Sequence, residues 1–247
     1  MYFTVHGDHD VPVCHLEGLG MKLSRFIERL MSEVPSIGNM GSGASTTQLT
    51  AILNEGVFEV NALTKVYKGY KDIDIVAEQQ IYQLSVVDTE FMGMDKPGVF
   101  FKDSNGDWSS VYPKTLTWLA TRYPGFLNAQ SAAVPRWYWQ DGDDLGFYNK
   151  PDASQTAGAR IYRIKKPTDM GNNDHYPFSG SAVELVALRP LDDAILAYAR
   201  WKLAPAFGKV TDVDMRRREF LDECRRGVKL IRRRPDMTID SGYGIDL

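Results

Sequence analysis

The chain has 247 residues, of which 43% are hydrophobic and 11% aromatic, and its net charge is −3. This composition supplies enough apolar surface for one large domain or two small ones, and it excludes wholesale disorder. A net charge so near zero gives no overall attraction to nucleic acid. No apolar run reaches the roughly 18 residues of a membrane-spanning helix, so we expect no membrane partner.

The charge is unevenly distributed along the chain. Residues 189–234 carry 13 Lys or Arg and 7 Asp or Glu, a local surplus of +6. Residues 235–247 carry −3 from Asp236, Asp240 and Asp246, which leaves −6 for residues 1–188. We therefore expect the basic stretch to meet either acidic protein surfaces or phosphates.

Residues 1–20 are interpreted as a polar leader. His6, His9 and His15 lie near Cys14, but their spacing lacks the paired CxxC or HxxxH pattern of structural zinc sites. We therefore expect no metal and no cofactor. Met21, directly before a helical pattern, is a candidate alternative start.

Two amphipathic helices are predicted next. Residues 22–34 place apolar side chains at helical spacing, and Pro35 ends the pattern. The second helix runs over 47–66, with Ser45 or Thr46 as its N-cap. Gly56 lies within its apolar face, which indicates the close approach of another helix.

The period changes to two from Tyr70, which predicts a β-rich middle. Asn105-Gly106 is a strong hairpin signal between two short apolar strands. A short helix over 114–123 follows. A further strand is predicted at Ala159 to Ile164, and a loop over 168–180.

The segment PRWYWQDGDDLGFYNKP, from Pro135 to Pro151, predicts an aromatic hairpin. Trp137 and Trp139 alternate with more polar residues, and Asp141 to Asp144 supply the turn. Its rings could stack on sugars, but alternating aromatics more often fill the core face of a strand.

Two more helices are predicted after the β-rich middle. Pro190 is placed in the first turn of a helix that ends near Pro205. A final helix runs from Thr211 or Asp212 to about Arg233, and nine basic residues lie between Arg216 and Arg234. Its candidate residues for a subunit interface or a DNA channel are Arg216, Arg217, Arg225, Arg226, Lys229, Arg232 and Arg233.

Familiar catalytic motifs are missing from the sequence. It has no GxSxG, HExxH, P-loop or dinucleotide-binding glycine pattern. Glu55 with Glu59, or Asp141 with Asp143, could act as paired glycosidase carboxylates, but such pairs are common on solvated helix faces and turns. We expect no enzymatic activity.

Five segments occur in an order that resembles the head-to-tail adaptor (connector) proteins of tailed bacteriophages. No one segment is diagnostic. They are LxxxLNEGxxEVxxxT (Leu49 to Thr64), QQIYQL (Gln79 to Leu84), PRWYWQDGDDLGFYNKPDA (Pro135 to Ala153), the strand Ala159 to Ile164, and PLDDAILAYARWKLA (Pro190 to Ala204).

The resemblance implies a virion structural protein of the neck, assembled in the host cytoplasm. Such adaptors form a homo-oligomeric, commonly dodecameric, ring below the portal protein and around the double-stranded DNA exit channel, and they contact tail or nozzle proteins. In some relatives the C-terminal segment docks on the portal. Candidate portal-docking residues here are Ile239, Tyr243, Ile245 and Leu247.

The expected fold class is α+β, with a helical bundle formed by both chain ends, an inserted β-rich domain and an extended C-terminal tail. The bundle is assigned to 21–69 and 181–234, the insertion to 70–180 and the tail to 235–247. Two alternative functions stay open: a tail nozzle or second neck-ring protein, and a muralytic or glycan-binding module.

Overall fold

The computed structural model describes residues 20–33, 45–207 and 212–233. Within these residues there are six α-helices and nine strands. The helices are α1 (Leu23–Glu33), α2 (Thr46–Thr64), α3 (Leu84–Val87), α4 (Leu116–Arg122), α5 (Asp192–Leu203) and α6 (Val213–Arg232). The strands are β1 (Lys68–Ile75), β2 (Ile81–Gln83), β3 (Phe91–Lys102), β4 (Trp108–Pro113), β5 (Ser131–Ala132), β6 (Trp137–Asp141), β7 (Asp144–Tyr148), β8 (Lys150–Pro151) and β9 (Gln155–Lys165).

Seven strands form one curled sheet, a half-barrel, in the order β1-β9-β3-β4-β6-β7-β2. The pairs are antiparallel except for β4 with β6, which is parallel. Register shifts in β1 and β3 mark irregularities that bend the strands. β5 and β8 form a separate parallel pair.

Each face of the curled sheet has its own apolar cluster. The inner face is filled from all seven strands, and its aromatic side chains include Tyr82, Phe101, Tyr138 and Phe147. On the outer face, Trp137 and Trp139 of β6 pack with Leu119 of α4 and with Phe126. The aromatic hairpin therefore contributes to both clusters, as alternation along a pleated strand requires.

The larger helices share a third apolar cluster. α2 packs on α5 at Gly56, where an added Cβ would lie 3.0 Å from Cδ1 of Tyr198. The predicted close approach at Gly56 is confirmed. At Gly227 of α6, a Cβ would lie 2.6 Å from Cδ2 of Leu191 and 2.7 Å from the carbonyl oxygen of Pro190. Both contacts depend on the missing side chain of glycine.

A buried asparagine joins the helices to the sheet. Asn61 of α2 donates to the carbonyl oxygen of Lys165 on β9 (2.8 Å), and its amide oxygen accepts from the backbone N–H of Tyr67 (3.1 Å). The N–H of Lys165 in turn donates to the carbonyl oxygen of Tyr67 (2.8 Å). Because all these groups are paired, the end of α2 is fixed against the start of β1 and the end of β9.

The expected helical bundle with an inserted β-rich domain is wrong. The molecule is a mixed α/β protein dominated by the seven-stranded sheet, and the helices of both chain ends do not form a bundle that carries it. The physical reason is the pairing of β9 with both β1 and β3. That pairing joins strands distant in sequence into one continuous sheet, and local periodicity does not encode it.

Most local predictions agree with the structure, and two do not. Ser45 caps α2 with a reciprocal capping box involving Gln48. The aromatic hairpin forms with Asp141 opposite Asp144. The segment Gln79 to Leu84 forms a strand only at Ile81–Gln83 (β2), and α3 begins at Leu84. Pro190 lies inside a 3-10 helix (Val186–Leu191) that precedes α5, and not in the first turn of an α-helix.

Candidate interaction surfaces

An aromatic band crosses the outer face of the sheet through six neighbouring strands. Its members, in the spatial order of the strands, are Tyr70, Tyr162, Phe100, Trp108, Tyr112, Trp137 and Tyr148. Their ring contacts include Tyr70 with Tyr162 (centroids 6.1 Å apart), Tyr162 with Phe100 (5.7 Å) and Trp137 with Tyr148 (5.3 Å).

Across the middle of the sheet, the pairing of β3 with β4 and of β4 with β6 places the rings of the band on the same face. Phe100 faces Ser110 of β4, and Tyr112 of β4 lies directly opposite Trp137 of β6. Tyr70 is 55% exposed and Tyr112 is 65% exposed. Tyr70 and Tyr112 thus present large rings to solvent, whereas Trp137 is buried in the cluster with α4. Exposed rings of this kind are typical of binding surfaces.

One arginine is held rigidly within the band. Arg160 makes a two-point ion pair with Asp72, with its Nε 2.7 Å and its Nη2 2.9 Å from the carboxylate oxygens. Its guanidinium lies over the rings of Tyr70 (4.2 Å) and Trp108 (4.7 Å). The hydrogen bonds that Arg160 donates to Asp72 raise the pKa of Arg160, so this cation is permanent.

Three further cations lie over rings of the band or of α4. Lys102 is over Trp108 (6.0 Å), Lys114 over Trp118 (4.5 Å) and Arg136 over Trp137 (4.5 Å). Among the described residues, no carboxylate forms an ion pair with these three. The band is therefore both aromatic and basic, and it would favour an acidic partner.

Sequence reasoning found only part of this surface. The sequence predicts the hairpin that carries Trp137 and Tyr148, and it favours a core role for these rings. No local pattern in the sequence places Tyr70, Phe100 and Trp108 on the same surface. Alternation placed each on one face of its own strand, but only the register places them side by side.

The second surface is the basic face of α6. Phe220, Cys224, Gly227, Val228 and Ile231 form its buried side. Lys229 and Arg233 are exposed, and within the described part of the chain neither they nor Arg217 and Arg218 form an ion pair. Several cations of α6 thus remain available to a partner.

Three other candidate arginines of α6 are paired with carboxylates within the same protomer. Arg216 pairs with Glu219 (2.8 Å), and Arg225 with Asp222 (2.9 Å). Arg226 pairs with Glu223 (3.1 Å) and approaches Asp193 of α5 (3.8 Å). Arg232 is exposed at the end of the helix. Arg216, Arg225 and Arg226 therefore already have carboxylate partners within the protomer, and they do not require acidic residues from another copy.

The candidate portal-docking residues, Ile239, Tyr243, Ile245 and Leu247, lie outside the described residues. The histidine-rich stretch of the leader also lies outside them. Within residues 20–33, 45–207 and 212–233, no group of three His, Cys, Asp or Glu side chains could hold a metal ion. No helix in these ranges has the length and apolarity to cross a membrane.

Glu55, one of the carboxylates considered for hydrolysis, has a lowered pKa. The Tyr198 hydroxyl donates to Glu55 (2.5 Å) and Lys202 pairs with it (2.9 Å), and these contacts lower the pKa of Glu55. Asp143 accepts from the backbone N–H of Ser85 (2.9 Å). A general acid needs a raised pKa, so Glu55 has the opposite of the required shift.

One carboxylate does have a raised pKa. Asp192 is buried beside a shallow depression at the start of α1, and it accepts a hydrogen bond from the backbone N–H of Met21 (2.9 Å). Burial raises the pKa of Asp192 to about 7. Nearby Glu184 accepts from the N–H of Gly20 (2.7 Å) and is paired with Arg189. These contacts anchor the chain before α1.

Neither a comparison with models of known protein families nor a search of curated proteins found a match.

Proposed function

We propose that this chain is a virion structural protein, a head-to-tail adaptor that forms a ring below the portal around the DNA exit channel. The aromatic band is the observation that carries the proposal. Large exposed rings with fixed cations are the side chains that contribute most to protein interfaces. A ring protomer needs such a surface, because each copy contacts its neighbours.

The basic face of α6 provides a second surface for the same role. Its unpaired cations suit either the phosphates of DNA in the channel or the acidic surface of an adjacent copy or portal. The order of the five sequence segments supports the adaptor assignment, and these two surfaces support the assembly that it requires. The lowered pKa of Glu55 gives no support to a general-acid role for that residue.

Native mass spectrometry of the purified protein, alone and mixed with the portal protein of its phage, tests the proposal. We expect a closed oligomer, either spontaneously or on the portal. Tyr112→Ser should weaken assembly at least tenfold, because Tyr112 is 65% exposed in the band. Val183→Ser, which changes an equally exposed residue, is the matched control.

Two outcomes would contradict this function. One is a monomer at all concentrations, with and without the portal. The other is robust hydrolysis of peptidoglycan or glycan that is lost in Glu55→Ala or Asp143→Ala.

A further inference from the structure

Beside α4, near one end of the aromatic band, lies a patch that is both aromatic and basic. Lys114 is over the ring of Trp118 (4.5 Å), and Arg136 is over the ring of Trp137 (4.5 Å). The two indole rings are in edge contact, with centroids 5.3 Å apart. Tyr112 lies opposite Trp137 and is 65% exposed, and Trp118 is 37% exposed. The α4 patch is defined as Tyr112, Lys114, Trp118 and Arg136.

The chain around the α4 patch contains no acidic residue. Residues 108–140 carry three Lys or Arg and no Asp or Glu. From outside this range Glu78 contacts it, and its carboxylate accepts a hydrogen bond from the hydroxyl of Ser131. Among the described residues, no carboxylate forms an ion pair with Lys114 or Arg136. The patch therefore suits a partner that brings both carboxylates and apolar contact.

The turn between β6 and β7, the acidic turn (residues 141–144), has the opposite charge. Asp141, Asp143 and Asp144 are exposed, and within the described part of the chain none of them forms an ion pair. No Lys or Arg occurs in residues 79–95 or 137–149, which include the turn, β2 and α3. The three carboxylates therefore have no cation beside them in the chain.

Exposed apolar side chains flank the acidic turn. Val86 of α3 is 73% exposed, and Ile81 of β2 is 43% exposed. The backbone N–H of Leu84 donates to the carbonyl oxygen of Asp143 (2.8 Å), which holds the start of α3 against the turn. The turn thus has the same mixture of charge and apolar surface as the α4 patch, with the opposite sign.

The aromatic hairpin holds these two surfaces apart within a protomer. Arg136 precedes β6 and Asp141 is its last residue. Five residues of extended strand span about 17 Å. Lys114 lies near the end of β6 that carries Arg136, because its backbone N–H donates to the carbonyl oxygen of Tyr138 (2.8 Å). The acidic turn of one copy can therefore cover only the α4 patch of another copy.

We propose that the acidic turn of one copy docks on the α4 patch of the next copy. The aspartates of the turn lie against Lys114 and Arg136, and Val86 covers part of the exposed rings. Because the two surfaces differ, the contact is heterologous, and its repetition around an axis closes a ring in which every turn and every patch is occupied. This inference rests on the proposed ring and names the surfaces that join its copies.

Mixing two charge-reversed full-length variants tests the contact. The patch variant carries Lys114→Glu with Arg136→Glu, and the turn variant carries Asp141→Lys with Asp144→Lys. By native mass spectrometry, alone or on the portal, each variant by itself should assemble about tenfold less than wild type, because like charges meet at every contact.

An equal mixture of the two variants should recover most of the wild-type assembly. Each turn then meets a patch of opposite charge on the other variant, so the two alternate around the ring. Recovery also shows that both variants fold. The matched control is Arg25→Glu with Lys71→Glu, which reverses two exposed cations that have no ion pair among the described residues. It should assemble as wild type does.

Three outcomes would overturn the inference. The mixture could assemble no better than each variant alone, or the control could lose as much assembly as the patch variant. Alternatively, the patch variant could assemble normally but lose binding to a double-stranded DNA fragment that the wild-type protein retains, which would assign the patch to nucleic acid.

The wild-type chain separates this inference from the proposed function. If it forms a ring and both reversed variants form the ring equally well, the contact is wrong and the ring stands. If it forms no closed oligomer with or without the portal, the proposed function itself fails.

Discussion

Two buried ionisable side chains show how single residues connect the parts of this protein. Arg163 of β9 and Asp88, which follows α3, are each 5% exposed and form an ion pair at one end of the half-barrel. Arg163 also reaches Glu90 (3.1 Å). Asp88 Oδ2 and Arg163 Nε have no hydrogen-bond partner within the described residues. Such a pair adds little net stability when intact, but it is costly to break.

Asp88→Ala should therefore lower the free energy of unfolding by about 3–5 kcal/mol, because it leaves the buried guanidinium of Arg163 with only Glu90. Urea denaturation checks this. Adding Arg163→Met should recover much of the loss, since the uncompensated charge is removed. A loss below about 1 kcal/mol for Asp88→Ala would contradict the role of the pair.

The raised pKa of Asp192 gives a pH prediction. Its pKa is about 7 in the folded protein, whereas an unfolded Asp titrates near pH 4. Between these values the folded state holds a proton that the unfolded state has lost. This contribution to stability is therefore complete below about pH 4 and falls as pH rises towards 7, by at most about 1.4 kcal/mol per unit.

Asp192→Asn keeps an oxygen acceptor for the Met21 N–H and removes the titration. Relative to wild type, the variant should gain stability as pH rises from about 4 to 7. Denaturation at several pH values measures the difference, in which all other titrating groups cancel. Parallel pH profiles of the two proteins would show that Asp192 does not titrate in this window.

At the scale of elements, close packing between helices depends on glycine. α6 lies against the 3-10 helix before α5 at Gly227, where backbone as well as side-chain atoms occupy the position of a Cβ. The basic face of α6 is presented to solvent because the opposite side is fixed in this way. The packing at Gly227 thus determines that the basic face of α6 points to solvent.

Gly227→Ala should lower the free energy of unfolding by about 1–3 kcal/mol despite the higher helix propensity of alanine, because the carbonyl of Pro190 cannot move cheaply. Thermal and urea unfolding measure the change. Gly171→Ala is the control, since no atom lies within 4 Å of the position of its Cβ. Equal stability of the two variants would contradict the packing argument.

At the scale of the whole molecule, two surfaces are available for assembly: the aromatic band of the sheet and the basic face of α6. The first relies mainly on apolar contact and the second on charge. Their contributions can be separated by salt, because screening acts on charges and much less on buried apolar area.

Assembly should weaken as salt approaches 1 M, where the screening length is about 3 Å. The loss should be smaller in a Lys229→Ala, Arg233→Ala variant, in which exposed cations of α6 are already absent. Sedimentation velocity at increasing salt measures the oligomer fraction. Assembly that is indifferent to salt in both proteins would remove α6 from the interface.

The sequence alone determined most of the local structure. The sequence places the N-cap of α2 at Ser45 or Thr46, and the alternation around Trp137 indicates the aromatic hairpin. These features depend on residues that are close in the chain, where capping, pleat and helical period act directly.

The tertiary structure alone decided the fold and the candidate surface. The pairing of β9 with both β1 and β3 replaced the expected bundle by a half-barrel. The same register brought Tyr70, Phe100 and Trp137 into one band and made β1 an edge. Strand pairing is a long-range choice between many registers of similar local energy, so no short pattern in the sequence specifies it.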